Sequence, residues 1–302
     1  MYFPSAISGK VTPMIEVEVL VVCEGEDSSL DALILRRVLE HHGVRARVVP
    51  AGDAASLGVL RAMLRYDERV SFSIKDRDFL PAERTIAPKP RKLRWRSHEI
   101  ENFLVAPAVV HAAFERLRLE APGEAWLAHA PANLPGVETL ILDLAVRLLP
   151  VHIGGLMASE RSLRSTTSNP TSFRRPSTPD VDRLGWPGAL AQEAHRVVLG
   201  CQSLAMDSLF QEAAIHADWA RYLAEIPASG FFSSGRYLAD MEGKALLGAL
   251  HALACSWGMR ASRDAFASEA LVPALFSLLG SKDEPTDFRD LAEHIRRRST
   301  PP

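Results

Sequence analysis

The chain has 302 residues, enough for one large domain or two of ordinary size. Its apolar fraction of 47% can form a substantial core, and its net charge of −2 excludes a polycation that binds nucleic acid over its whole surface. Any nucleic-acid contact therefore has to come from a local basic patch.

Cysteine usage and hydropathy predict a cytoplasmic protein. Cys23, Cys201 and Cys255 are widely spaced and odd in number, which favours reduced thiols over a disulfide framework. The sequence has no CxxC or HExxH pattern, so we expect no zinc site. We also expect no apolar run of membrane-spanning length, no signal peptide and no membrane partner.

The first hundred residues predict an α/β fold with strands at 17–22, 45–49 and 70–74. The first of these is rich in β-branched residues, as buried strands are. Helical patterns separate the strands, and this order predicts right-handed crossovers and a parallel sheet. Ligands of such sheets bind at the carboxyl ends of the strands.

Capping residues mark the two intervening helices. We expect Asp27 or Ser28 to cap the first helix and Gly43 to end it in a left-handed conformation. Ser56 is the expected cap of the second helix.

Acidic residues follow the predicted strands. Glu24 comes directly after the first strand, Asp76 and Asp78 come after the third, and Glu99 and Glu101 follow later. Carboxylates that converge at one edge of a sheet bind Mg²⁺ or Mn²⁺, and a pair of metals about 4 Å apart stabilises the attacking and leaving oxygens of a phosphodiester. Each cluster alone is equally typical of turns and helix caps, so the prediction depends on their combination.

Residues 80–96 contain three prolines, which argue against a helix, and a run of basic side chains. These are Arg84, Lys89, Arg91, Lys92, Arg94 and Arg96. Two interpretations are open: a solvated surface loop, or a contact with the phosphate backbone beside the metal site.

The remainder of the chain is predicted to be helical. A helix with Pro107 in its first turn precedes helices at 138–149, 189–199, 203–225, 235–257 and 263–279, and Arg296 to Arg298 form a solvated helix end. The Ser-, Thr- and Pro-rich stretch 159–188 predicts a long irregular loop. We therefore expect an α/β domain at 1–105 and a helical domain at 106–302 that binds a partner or nucleic acid.

The acidic constellation resembles the Toprim domain over about residues 17–105. Toprim proteins carry Glu-Gly after the first strand, as in Glu24-Gly25, and Asp-x-Asp after a later strand, as in Asp76-Arg77-Asp78. The string His98-Glu99-Ile100-Glu101-Asn102-Phe103-Leu104 is similar to a segment of OLD-like Toprim nucleases, including the Toprim subunit of PARIS-type anti-phage defence systems. Gly243-Lys244-Ala245-Leu246-Leu247 resembles a helical element of the same proteins, and it is equally typical of an ordinary helix start.

The resemblance implies a metal-dependent endonuclease. Glu24 would be the catalytic carboxylate, and Asp76, Asp78 and Glu101 would complete the metal ligands. Glu99 would be a secondary ligand. His98 would be either a donor in the active site or a structural histidine.

Basic residues next to the acidic clusters, Lys75 and Arg77, would stabilise phosphate charge or point to solvent. Asp27 keeps only approximately the Glu-Gly-x-x-Asp spacing of many Toprim domains, so its role is open.

No Walker A motif is present, so an ABC-type ATPase of the kind that works with OLD-like nucleases would be a separate polypeptide. The sequence leaves open DNA or RNA as substrate, with transfer RNA as one candidate, and also homo-oligomerisation. A non-catalytic interaction subunit with an acidic docking face is the main alternative. A primase or strand-passage enzyme is disfavoured, because the sequence has no zinc ribbon and no distinctive tyrosine context.

Overall fold

The computed structural model describes residues 19–52, 54–63, 70–77, 85–164 and 212–299. Within these ranges a four-stranded sheet flanked by helices confirms the predicted α/β class. The strands are β1 (Val19–Cys23), β2 (Ala46–Pro50), β3 (Ser71–Lys75) and β4 (Lys92–Arg94). They lie in the order β2-β1-β3-β4 and all pair in parallel, so their carboxyl ends meet at one edge.

Strand β4 lies in the stretch 80–96, where the prolines argued against a helix and a surface loop was one interpretation. It is a three-residue strand at the edge of the sheet, where nearby prolines are tolerated because one side of the strand needs no partner. Leu93 and Trp95 are 2% and 1% exposed, so the apolar core holds this segment in place. The surface-loop interpretation is therefore wrong for residues 92–94.

The helices between the strands begin at other caps than those predicted. Helix α1 (Leu30–His41) is capped by Ser29, whose side chain accepts a hydrogen bond from the N–H of Ala32. Its end was predicted correctly, since Gly43 adopts φ 67°. Helix α2 (Ala54–Met63) contains Ser56, so that residue is not its cap.

Beyond the sheet, the described chain is helical. The helices are α3 (Glu101–Leu104), α4 (Pro107–Glu120), α5 (Leu134–Arg164), α6 (Glu212–Ala228), α7 (Tyr237–Asp240), α8 (Gly243–Ser256), α9 (Arg263–Ala265), a π-helical turn (Phe266–Leu271), α10 (Val272–Ser277) and α11 (Thr286–Ser299). Pro107 occupies the first turn of α4, as predicted. Residues 159–164 continue α5 and are not part of a loop; the rest of that predicted loop and the predicted helix 189–199 lie outside the described residues.

Helix α5 is more apolar than we expected. Its stretch Leu134–Met157 is long and apolar enough to cross a membrane, which the sequence analysis did not anticipate, but 61% of the most apolar window is buried inside the protein. Such burial is typical of a core helix in a soluble protein.

Cys23 and Cys255 are both free thiols. The cytoplasmic location stays a prediction.

One continuous apolar cluster joins the sheet to the helices. At its centre Trp95 follows β4, Phe103 lies on α3 and Phe288 lies on α11. The ring centroids of Trp95 and Phe103 are 5.3 Å apart, and those of Phe103 and Phe288 are 4.7 Å apart. The domain boundary predicted at residue 105 passes through this cluster and stays a prediction.

Helix α8 begins in direct contact with α3, and Gly243 makes this approach possible. A Cβ atom at Gly243 would lie 2.6 Å from the backbone nitrogen of Asn102 and 2.8 Å from its Oδ1. The Asn102 amide group in turn donates hydrogen bonds of 2.9 Å to the carbonyls of Leu238 and Met241. The start of α8 is thus fixed against the segment that carries Glu99 and Glu101.

We predict that Gly243→Ala lowers the free energy of unfolding by about 1–3 kcal/mol, because its methyl group overlaps the Asn102 backbone. Gly123→Ala is the matched control, since a Cβ atom at Gly123 meets nothing within 4 Å. Urea unfolding midpoints of both variants and the wild type measure the effect. Equal midpoints for the two variants would contradict the close contact.

Candidate active site

Two predicted site residues sit at the carboxyl ends of neighbouring central strands. Glu24 directly follows β1 and Asp76 directly follows β3. Val22 pairs with Ser73, and continuing this register by two residues places Glu24 beside Lys75. The ammonium of Lys75 accordingly lies 3.8 Å from Glu24 Oε1.

Gly25 brings the start of α1 to the same edge. It adopts φ 87°, and it exchanges two backbone hydrogen bonds with Gly52, of 2.6 and 2.8 Å. A Cβ atom here would lie 2.5 Å from the hydroxyl oxygen of Ser29, the cap of α1. Only glycine allows this turn, so Gly25 sets where α1 begins relative to Glu24.

The tight turn places Asp31, in the first turn of α1, among the site carboxylates. Burial and, next, repulsion from Glu101 raise the pKa of Asp31 to about 7; Glu24 adds to the repulsion. Sequence reasoning missed Asp31, because it looked for the acidic partner of Glu24 at Asp27. The available signal was a carboxylate in the first helical turn after Glu-Gly.

Asp76 lies at the centre of the carboxylates. Burial raises its pKa to about 9, and repulsion from Asp31, Glu101 and Glu99 acts in the same direction. The structure therefore brings Asp76 together with Glu101, a predicted ligand, with Glu99, the predicted secondary ligand, and with Asp31. Asp78, the other predicted ligand, lies outside the described residues.

The segment from His98 to Asn102 is held in place by its backbone. The N–H of His98 donates to the carbonyl of Ala239 at 2.6 Å, and the N–H of Glu99 donates to Asn102 Oδ1 at 2.8 Å. The His98 imidazole is 0% exposed, with Nδ1 3.9 Å from Glu99 Oε1. Full burial favours the structural alternative for His98, and its role as a donor in the active site stays a prediction.

Lys244, at the second position of α8, supplies a positive charge to the cluster. Its ammonium lies 3.2 Å from Glu99 Oε1 and 3.6 Å from Glu101 Oε1, and its backbone N–H donates to Glu99 Oε2 at 3.0 Å. Burial lowers the pKa of Lys244, but attraction to Glu101, Glu99 and Asp76 outweighs it and leaves that pKa above its ordinary value. For Glu101, burial outweighs the opposing effect of Lys244, so its pKa is raised.

The carboxylates fit a divalent cation by their chemistry. In the part of the chain that the structure describes, no three acidic, histidine or cysteine side chains are arranged closely enough to hold a metal ion. The cluster nevertheless offers only hard oxygen donors, and burial and, next, repulsion among the carboxylates hold the pKa of Asp31 and Asp76 well above the ordinary aspartate value. Mg²⁺ and Mn²⁺ prefer such donors and keep several waters, so two or three carboxylates suffice.

Two arginines predicted to contact nucleic acid instead join the helical region to the sheet. Arg77 is 3% exposed and donates to the carbonyl of Ala239 at 2.8 Å and to Asp240 Oδ1 at 2.6 Å. Arg96 donates to Asp287 Oδ1 at 2.5 Å and also to Asp290. Burial and the ion pair with Asp240 argue against a nucleic-acid contact for Arg77, while the contact predicted for the partly exposed Arg96 stays a prediction.

The other predicted basic contacts lie near the outer strand. Arg91 is exposed before β4, while Lys92 and Arg94 are half-buried on it. Arg94 pairs with Lys75 in the register, so a row of Glu24, Lys75 and Arg94 crosses the carboxyl edge of the sheet. The contacts of Lys75, Arg91, Lys92 and Arg94 with nucleic acid stay predictions.

Comparison with models of known protein families and with curated proteins finds no match to this chain. The arrangement of the site therefore has to be interpreted from its own geometry.

The raised pKa of Asp76 predicts a pH-dependent stability. Its pKa rises on folding from 3.8 to about 9, so the folded state binds more protons than the unfolded state across this range. The free energy of unfolding should therefore fall as the pH rises from about 4 to about 9. In Asp76→Asn this slope should be smaller, while the exposed control Asp283→Asn should keep the wild-type slope. Urea unfolding across this pH range tests the prediction, and an unchanged slope in Asp76→Asn would refute it.

Proposed function

We propose that the chain is a Toprim-like endonuclease that uses Mg²⁺ or Mn²⁺ to cleave nucleic-acid phosphodiesters, as the effector of an anti-phage defence system under the control of a separate ABC-type ATPase. The observation that carries the proposal is the convergence of carboxylates at the carboxyl edge of a parallel sheet. These are Glu24, Asp31, Asp76, Glu99 and Glu101. Ligands of open α/β sheets bind at this edge.

The Toprim-like part of the proposal is supported by the strands that carry the acids. Glu24 follows β1 and Asp76 follows β3, and these two strands are direct neighbours in the sheet. The local structure requires the glycine of the Glu-Gly pair, because a side chain at Gly25 would collide with Ser29. The two motif acids that the structure describes, Glu24 and Asp76, thus follow neighbouring strands, and this supports the proposal.

The candidate ligands are Glu24, Asp31, Asp76 and Glu101; two of these carboxylates would hold the cation, with water as its remaining ligands. When bound, the cation would neutralise the phosphate oxygens and lower the pKa of a water nucleophile. Glu24 has a side chain that is 27% exposed, so it can reach solvent and accept the proton of that water. Lys75, beside Glu24, and Lys244, beside Glu99, would stabilise the charge that develops on the phosphate.

Cation binding requires Asp31 and Asp76 to be ionised. Because burial and repulsion hold their pKa values at about 7 and about 9, both carboxyl groups would have to release their protons before they could bind a cation. We therefore predict that the stabilisation by Mg²⁺, measured as the rise in melting temperature at fixed Mg²⁺ concentration, increases from pH 6 to pH 9. Asp76→Asn should weaken this increase. A Mg²⁺ effect that is independent of pH would contradict the assignment of these carboxylates.

The catalytic prediction concerns Glu24 and Asp76. We expect Glu24→Gln and Asp76→Asn to lower the rate of cleavage by about 100-fold or more, because each removes a metal-binding carboxylate. The matched control is Glu26→Gln, which removes an exposed acid two residues from Glu24. The measurement is cleavage of DNA and of total transfer RNA by the purified protein in Mg²⁺, Mn²⁺ or EDTA.

A second candidate function is a non-catalytic interaction subunit, and the ion pairs of Lys244 favour it. In this alternative, Lys244 permanently neutralises Glu99 and Glu101, and the acidic edge docks a cation or a basic protein surface. If neither the wild type alone nor its mixture with a candidate ABC-type ATPase cleaves nucleic acid, and Glu24→Gln still binds that ATPase, this alternative replaces the nuclease. Metal-dependent cleavage that is lost in both acid variants but kept in Glu26→Gln excludes it.

A further inference from the structure

A cavity of about 420 Å³ opens beside the carboxylate cluster. Its lining includes Glu101 and Lys244 of the cluster and Arg263 and Asp264 of α9. Three apolar side chains, Leu30, Leu247 and Ala267, form part of its wall. The cavity therefore extends the candidate active site and combines two cationic groups with an apolar surface.

Arg263 is available to a ligand. Its side chain is 50% exposed, and its ion pair with Asp264 is long, at 3.9 Å between Nε and Oδ1. Asp264 is itself 94% exposed, so water screens this pair, and such pairs contribute little free energy. An anion at the cavity can therefore bind the Arg263 guanidinium at little cost.

The local backbone fixes Arg263 at the cavity. Ser262 caps α9, and its hydroxyl accepts a hydrogen bond from the N–H of Ala265 at 3.2 Å. Directly afterwards the chain forms the π-helical turn Phe266–Leu271, which places Ala267 and Ser268 on the cavity wall. Turns of this kind occur frequently at functional sites.

We propose that this cavity is a nucleotide subsite, which holds the nucleotide unit next to the scissile phosphodiester; the inference rests on the proposed function. Arg263 and Lys244 bind the phosphate, and the sugar and base lie against Leu30, Leu247 and Ala267. The cavity volume falls within the range of about 300–1,000 Å³ that is usual for small-ligand sites. An anionic phosphate joined to a less polar sugar and base matches both parts of the lining.

The test measures binding separately from cleavage. Fluorescein-labelled single-stranded trinucleotides, of DNA and of RNA, are titrated with the full chain in EDTA, and the Kd is followed by fluorescence anisotropy at several salt concentrations. Arg263→Ala should weaken binding about 10-fold and reduce the slope of log K against log salt by about one, because one phosphate contact is lost. Arg263→Lys should retain part of the affinity. In cleavage assays Arg263→Ala should raise KM about 10-fold and leave kcat unchanged.

The matched control is Arg260→Ala. Arg260 is also exposed, but it lines a different cavity, of about 500 Å³, beside Trp126 and Trp257. This variant should keep the wild-type Kd and salt dependence. Urea unfolding of the Arg263 variants checks that they are folded, and we expect wild-type midpoints because both Arg263 and its partner Asp264 are exposed.

Each outcome separates the subsite from the nuclease. If the wild type binds trinucleotides and Arg263→Ala binds them more weakly, but no condition gives cleavage, the subsite stands and the proposed catalysis fails. If the wild type cleaves nucleic acid and folded Arg263→Ala keeps its Kd, salt slope and KM, the subsite is overturned and the nuclease stands. Absence of any trinucleotide binding by the wild type also overturns the subsite.

Discussion

The ion pair between Lys244 and the carboxylates of Glu99 and Glu101 is the interaction on which the site depends. Glu99 is 1% exposed and Glu101 is 7% exposed, and buried carboxylates of this kind are costly without a positive partner. Lys244 reaches them only because Gly243 allows α8 to start against the backbone of Asn102. The close packing at Gly243, an uncharged residue, thus determines whether Lys244 can neutralise the carboxylates of the cluster.

This arrangement makes the helical region part of the site and not an appendage to the sheet. The sheet contributes Glu24 and Asp76, α1 contributes Asp31, and α8 contributes Lys244. Arg77 strengthens the same connection, because it leaves β3 directly after Asp76 and binds Asp240 of α7. The loss of either contact would therefore be expected to disturb the position of the carboxylates as well as the stability of the fold.

The parts of the fold that local patterns determine were predictable. β-branched residues marked β1, and Gly43 marked the end of α1, because strand propensity and left-handed glycine act within a few residues. Strand β4 was not predictable, since three residues carry little periodicity and its stability comes from the burial of Leu93 and Trp95 against distant parts of the chain. The carboxylates at strand ends were predicted from their sequence order alone.

The charges that complete the site depend on contacts that sequence spacing does not show. Lys244 is 145 positions from Glu99, and Arg77 resembled a solvent-facing residue until its contact with Asp240 became visible. Asp31 required the start of α1 to be placed correctly, and that depends on the turn at Gly25. Such wrong assignments are expected for charged residues, because the same side chain can face solvent, bind a ligand or form an internal ion pair.

The charge balance of the cluster connects its stability to its proposed chemistry. Burial and, next, repulsion from Asp31, Glu101 and Glu99 hold the pKa of Asp76 at about 9 in spite of the opposing charge of Lys244, so at neutral pH this carboxyl is expected to keep its proton. Under the proposed function, a divalent cation would replace that proton and free Lys244 to interact with the phosphate of the substrate. The same excess of negative charge that destabilises the isolated fold at high pH would then be the source of its affinity for the cation.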